Sequence, residues 1–526
     1  MTSIDSRTNH RKAVIIQLQP PMLYVSLLVE ALRARPVAMF WVAALSQAIL
    51  WVLLPTLIYV APPGDVPLVL ATGHEWLLGS PSGPPLAPWL AEIAFDLFGR
   101  RMIGVYLLSQ ICVVVTFWAV FALGRAIVGA RHAVMAVLLM VGITAFSLPT
   151  LDFGRAVLAM PLIALAVLHL WRALGETRRR YWFAVGIELG LLVLTSYACL
   201  IFVVLIAGFI ASTRRGRAAM RTVEPWAAAL IVIVIALPHL VWLERTGAGA
   251  LPSFAGLSQL MSADGRAVAW LRLVGWLLAA HAGLLVLLVI AGGLQVGPRA
   301  PAPAFEREPP PPLAKVYVYY FALVPGLVAT VVAVVLDVPI PFGKAAPLVV
   351  FSGLAVVMAA GDVIHLYRQR IVGVAWLALL AAPLAVTLAA VALGPWTLAL
   401  DLETGRPATA MADFFTDSFH RRTGRPLRIV AGDLDNAGLV AAYSPDRPSL
   451  YLVAAPERTP WVAEKDIREY GAVIMWPSLD TAGTPPAAIT ARFPDLVPEV
   501  PRSFERPVQG RLPLLRMGWA LIRPTR

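Results

Sequence analysis

Asp65 follows the first long apolar run of the chain and opens the loop Ala61–Arg100. A carboxylate at a membrane boundary, within hydrogen-bond reach of a hydroxyl, can act as a general base. The same residue can instead cap the helix that follows it, with Pro67 in the first turn, and both readings stay open at this level. After Asp65 come an amphipathic stretch Leu68–Leu78, the turn-rich string Gly79-Ser80-Pro81-Ser82-Gly83-Pro84-Pro85-Leu86, and a second apolar stretch from Trp89 to Phe98. Two helices lying in the membrane interface fit this pattern. Asp152 sits in a short turn between two later apolar runs, three residues before Arg155. Within the runs, Glu188 is an acid deep in a span, and His169 and His281 are buried in the same way. Each is either a partner for another span or a site. His239 and Glu244 lie at the end of a run, where a side chain reaches water. No HxxxH or carboxylate–histidine spacing supports a bound metal. Cys112 and Cys199 both lie inside apolar runs, which excludes a disulfide framework and a CxxC metal site.

The elements that position these residues follow from composition. The 526 residues are 59% hydrophobic and 14% charged, with mean hydropathy +0.75, against roughly 25% charge in soluble domains. An ordinary soluble enzyme, a disordered chain and a fibrous protein are excluded, and a polytopic membrane protein is expected. The first apolar run is long, late and without a cleavage site, so it is expected to stay in the membrane. The net charge of +12 is carried almost entirely by residues 1–393, in short loops between apolar runs. Such a distribution orients a membrane protein, and no basic face interleaved with aromatics suggests nucleic acid.

Spans of about 20 apolar residues are expected near 38–60, 102–123, 133–149, 155–173, 181–195, 197–211, 225–243, 269–291, 316–336, 346–361 and 371–393. Tyr181–Ala211 is divided into two because Arg178–Arg180 precede it and Arg214, Arg215, Arg217 and Arg221 follow it. Both clusters favour the cytoplasm, so the chain must go out and come back near Ser196. With the N-terminal arm 1–37 inside, 20 of the 27 basic residues before 394 fall on the inside and 7 outside. The loop 61–100 and residues 394–526 are then outside. Residues 295–315, with Pro309–Pro312 in a row, are expected to form an extended cytoplasmic linker without a core.

Residues 394–526 change character, with 16 basic and 15 acidic residues. Strands are expected at 426–432, 449–454 and 472–476. Helices are expected at 436–443 and 460–470, the latter capped by Thr459. Alternating strands and helices imply a small α/β layer with parallel pairing, and the Pro- and Arg-rich tail shows no clear pattern.

The run Asp65 … Gly79 … Pro84-Pro85-Leu86 … Trp89-Leu90 resembles the first periplasmic loop of bacterial GT-C glycosyltransferases of family 39. These are related to dolichyl-phosphate-mannose protein mannosyltransferases and to the lipid A aminoarabinose transferase. Leu151-Asp152-Phe153 is a second match. Further matches are Val430-Ala431-Gly432-Asp433, Tyr443-Ser444-Pro445, Arg447-Pro448-Ser449, Pro460-Trp461-Val462 and Gly471-Ala472-Val473. The resemblance implies about eleven transmembrane helices of GT-C type with a C-terminal periplasmic α/β domain, in a bacterial inner membrane. It departs from the family at Val66, where relatives carry Glu, and at Gly83, where they often carry Lys, His or Gln.

By that resemblance the chain takes a sugar from a polyprenyl phosphate and passes it to a hydroxyl of a glycolipid, polysaccharide or protein, with a divalent cation possible and none demanded. Asp65 is the first choice for the base and Asp152 the second. The leaving phosphate needs a cation, for which Arg155, Arg266, Arg272 and Lys344 are the outside-facing candidates. Arg155 is equally an interfacial anchor. With Gly83 in place of a basic residue, the phosphate contact is expected from elsewhere, and His74-Glu75 offers a displaced polar pair. Pro84, Pro85 and Trp89 form the loop motif. A lipid or polysaccharide transporter and a non-catalytic GT-C homologue are the alternatives. The absence of internal repeats weighs against the transporter.

Overall fold

A computed structural model describes residues 30–31, 33–81, 83–246, 263–292, 304–336, 344–365 and 368–525. Among the described residues, six helices are long and apolar enough to cross a membrane: Pro36–Ile58, Ile103–Val128, Arg155–Leu174, Glu224–Thr246, Pro312–Val334 and Arg370–Thr397. Two further segments are broken, Ala130–Val141 with Thr144–Leu151 at 84° and Trp270–Ala280 with Ala282–Gly292 at 49°. Three apolar helices are shorter: Tyr181–Val193, Tyr197–Ser212 and Ala346–Ala359. All eleven expected segments are therefore helical, while six to eight have the length of a span. The first break falls at Gly142, which lies against Gly283 so closely that a Cβ on Gly283 would stand 2.4 Å from the Gly142 carbonyl oxygen. The second falls at His281, whose imidazole contacts Ser352 Oγ (2.8 Å).

Lipid offers no hydrophobic drive between helices, so close packing through small residues must hold them. Gly186 and Gly190, one turn apart on Tyr181–Val193, supply this. A Cβ on Gly186 would lie 2.7 Å from the Ala228 carbonyl oxygen, and one on Gly190 would lie 2.9 Å from Ile235. The next helix returns to the same side, because Arg215 Nη1 donates to the Gly175 carbonyl (3.0 Å). Glu188 is paired with His169 (2.5 Å), so both face another span. Arg155–Leu174 is the most enclosed of the long helices and Glu224–Thr246 is peripheral.

Part of the expected linker 295–315 does acquire a core. Residues 295–303 lie outside the described residues, but β1 (Ala304–Glu306) pairs antiparallel with β2 (Val363–His365). Phe305 is fully buried, and Arg307 Nε donates to Asp362 (3.0 Å).

Residues 402–525 form an α/β unit. Its sheet runs β4 (Ser449–Leu452), β3 (Ile429–Gly432), β5 (Ala472–Pro477), β7 (Leu515–Ile522), β6 (Arg502–Phe504). β3 pairs parallel with β4 and β5, while β7 is antiparallel to β5 and β6. The patternless tail thus supplies two strands. Gly518 interrupts the apolar run of β7 because Trp476 lies across it, within 2.2 Å of where a Cβ would stand. The expected helix at 460–470 begins at Glu464 instead. Thr459 Oγ1 accepts from the Leu452 N–H (3.1 Å) and so does not cap it, and the Ala463 N–H donates to Asp466 (2.8 Å).

This unit is seated on the first loop. Leu68 and Ala71 of the helix Val66–His74 are buried in one core with Phe415, Val440 and Trp519. The Val60 and Ala61 N–H groups donate to the Thr404 carbonyl (3.0 and 3.2 Å). The loop and the α/β unit therefore occupy the same side of the helical domain.

Candidate active site

Asp65 occupies the N-cap position of Val66–His74, with Pro67 in the first turn, yet its side chain makes no capping hydrogen bond. Its carboxylate turns away, and Lys344 Nζ donates to Asp65 Oδ2 at 2.5 Å. Both side chains are about half exposed, 44% for Asp65 and 50% for Lys344. The Asp65 N–H donates to Asp152 Oδ1 (2.9 Å), which joins the first loop to the turn before Arg155–Leu174. Gly64 makes the approach possible. Its φ is +59°, and a Cβ there would stand 2.5–2.7 Å from the Asp152 carboxylate. Glycine alone satisfies both demands.

A third carboxylate comes from the α/β unit. Glu403 Oε2 accepts the Gly64 N–H (3.1 Å). Three acids thus surround two residues of backbone, and Asp152 bears the consequence. Burial pushes its carboxyl up to about 6, helped by the negative charges of Asp65 and Glu403. The hydrogen bond from the Asp65 amide and the charge of Lys344 hold it from rising further. A carboxyl tuned this close to neutral is suited to proton transfer. Among the described residues, no group of three His, Cys, Asp or Glu is close enough to hold a metal ion.

Arg155, the first residue of its helix, interacts electrostatically with Asp65. Its guanidinium lies over Gly83, where a Cβ would stand 3.1 Å from Cζ and Nε, and its buried Nε has no hydrogen-bond partner. Gly83 has φ +130° and exchanges backbone hydrogen bonds with Ser80 (2.8 and 3.0 Å). The glycine that stands where a basic residue was expected thereby makes room for one from another helix. The turn is held from below by the Leu86 N–H to the Leu194 carbonyl (3.0 Å) and by His239 Nδ1 to the Leu78 carbonyl (2.7 Å). His239 does not reach water: it is buried, and its Nε2 meets the Tyr197 hydroxyl (2.9 Å).

The remaining candidates stand elsewhere. His74 and Glu75 lie at the far end of the nine-residue helix Val66–His74, roughly 13 Å along its axis from Asp65. His74 Nδ1 meets Glu92 Oε1 (3.2 Å), and Glu92 takes both its oxygens to Arg447 Nη2 (2.6 Å each). Glu75 is half-buried beside Ser449, its Oε1 without a partner, and burial raises its carboxyl. These residues join the loop to the α/β unit. Arg272 is exposed on Ala263–Ala280, and the structure brings it to none of the three acids. The Arg266 side chain lies outside the described residues. Pro84 and Pro85 are buried at the start of the helix Leu86–Leu97, where Trp89 lies 6.5 Å from Trp76 between ring centroids.

Glu403, Glu92, Tyr197 and Arg447 were not legible as site residues. Glu403 follows a span with no local signal. Arg447 was marked by its Arg-Pro-Ser string, and Glu92 by its place as an acid in an apolar stretch.

The helices, with two paired carboxylates at the mouth of one loop, define a multi-pass membrane protein with a polar site at the end of its spans. Residues 82–242 match the family model described as Dolichyl-phosphate-mannose-protein mannosyltransferase. Crystal structures of ArnT from Cupriavidus metallidurans, bound to undecaprenyl phosphate and in the apo state, superpose with TM-scores of 0.45 and 0.44. Each is 13% identical, with 92% of this chain and 97% of theirs covered. No curated protein matches.

Proposed function

We propose that this protein transfers a hexose or pentose from a polyprenyl-phosphate donor to a hydroxyl of an acceptor at the outer face of a bacterial inner membrane. The acceptor is a glycolipid such as lipid A, a polysaccharide or a protein. The N-terminal arm 1–37 and the linker 295–315 face the cytoplasm, and residues 394–526 form a periplasmic domain. The family match supports the reaction class. The observation that carries the reading is the pairing of Asp65 and Asp152 beside two cations, Lys344 and Arg155.

In the transfer, the acceptor oxygen forms a bond to the anomeric carbon as the bond from that carbon to the phosphate oxygen breaks. The acceptor proton passes to a carboxylate, and the phosphate gains one negative charge. Asp65 is half exposed and accessible to the hydroxyl, while Asp152 orients the Asp65 backbone and shares the proton load. Arg155, and Lys344 once released from Asp65, stabilise the charge developing on the leaving phosphate.

The test is Asp65→Asn beside Asp152→Asn, assayed with radiolabelled polyprenyl-phosphate sugars, with membrane expression measured for each. Asn keeps the size and removes proton acceptance, so a loss of ~10²–10⁴-fold is expected at Asp65. Normal transfer by normally expressed Asp65→Asn overturns the assignment.

A further inference from the structure

Lys344 and Asp65 cannot both do the work proposed for them while they are paired. The ammonium sits 2.5 Å from the carboxylate oxygen that would take the acceptor proton. The leaving phosphate could also turn to this ammonium, beside Arg155, whose buried Nε has no hydrogen-bond partner. The two pairings compete for one ammonium. An ion pair with both members half exposed is weak, and a phosphate offers the ammonium a charge-assisted hydrogen bond of the same kind.

We infer that Lys344 is a positioning residue that changes partner. It holds Asp65 occupied in the donor-free protein and passes to the donor phosphate on binding, freeing Asp65 Oδ2 for the acceptor hydroxyl. The inference rests on the reading above that the donor is a polyprenyl phosphate, and it adds an order of events. The donor must bind before the acceptor can be deprotonated, so the base is not offered to an acceptor with no sugar to receive. The ammonium also arrives where charge grows, since bond cleavage adds one negative charge to the phosphate while the proton neutralises Asp65.

Binding of polyprenyl phosphate, without sugar or acceptor, tests this in the full-length protein in detergent. The measurement is made near pH 8 so that Asp152, which titrates at about 6, is ionised throughout. Lys344→Gln should weaken binding roughly tenfold, and Lys344→Arg should restore most of it. Asp65→Asn releases the ammonium in advance and should tighten binding roughly threefold, because apparent affinity scales with the competent fraction. The deciding measurement is the double variant. In the Lys344→Gln background, Asp65→Asn should no longer tighten binding. If the tightening persists there, Asp65 merely repels phosphate and the exchange is overturned. If Asp65→Asn tightens nothing in the Lys344 background, the pair holds nothing in reserve and the exchange is overturned as well. Absence of polyprenyl-phosphate binding by the unaltered protein overturns the donor reading itself, and the exchange with it. Binding with no tightening overturns the exchange alone.

Discussion

At the scale of residues, the site is a balance of charges around Gly64. Asp152 would titrate in the ordinary carboxylate range in water. Burial lifts it to about 6, the charges of Asp65 and Glu403 add to the lift, and Lys344 and the Asp65 amide oppose it. The protonated form is therefore disfavoured above this value and accumulates below it. If transfer requires Asp152 ionised, the rate should fall as pH drops through about 6. Glu403→Gln removes one raising charge, so the acid limb of kcat/KM should move to lower pH, while the Gly64 N–H keeps an amide acceptor. Measuring kcat/KM for both proteins from about pH 5 to pH 8 decides it. An unmoved limb would make Glu403 a dock for the backbone and nothing more.

At the scale of elements, the first loop is locked to the α/β unit by buried charge. The Arg447 and Glu92 side chains are 4% and 2% exposed, with bidentate contact at 2.6 Å, and the guanidinium also lies over the Phe95 ring. Burial alone would raise the Glu92 carboxyl, but the hydrogen bond from His74 and the charge of Arg447 outweigh it and hold it below the usual range. Such a pair is worth little against an apolar replacement of equal volume, whereas breaking it leaves one charge stranded. Arg447→Met should therefore destabilise the docked unit by ~3–5 kcal/mol, and adding Glu92→Leu should recover much of the loss. Thermal unfolding in detergent, followed with limited proteolysis of the residue 402–525 unit, measures both. Equal stability of the single and double variants would show that no charge is stranded.

At the scale of the whole molecule, contacts sort the loops into two sides. Loop 61–100, the turn at Asp152 and the α/β unit share one. The segments around Gly175 and Arg215 meet each other as neighbours. A reporter fused after Arg526 should be active outside the cytoplasm and one fused near Gly216 inside it. A reporter near Gly216 on the opposite side from one near Glu176 would show that Tyr181–Ala211 crosses once and does not return. The same arrangement explains why the C-terminal unit can supply a residue to the site: Glu403 lies 339 positions from Gly64 and 3.1 Å from its nitrogen.

Much of this protein is determined by its sequence alone. Apolar runs of membrane length, the arginine clusters at both ends of Tyr181–Ala211 and the alternation of strands and helices after residue 426 are local patterns. Burial of apolar side chains and the pairing of backbone groups impose them whatever the neighbours are. Asp65 was legible because it follows a span and stands nineteen residues before Pro84-Pro85-Leu86, the spacing that carries the resemblance. Its role was not, since an N-cap aspartate and a free one look alike until the carboxylate's partner is known. The partners were decided by tertiary structure. Lys344 is 279 positions away from Asp65, Asp152 reaches it only because Gly64 has no side chain, and Arg155 lies over Gly83 only because that position is also bare. His74 and Glu75 are near Asp65 in sequence and far from it in space, because a helix of nine residues separates them. Charge acts through distance, and distance between side chains on different helices is set by packing, which no local pattern records.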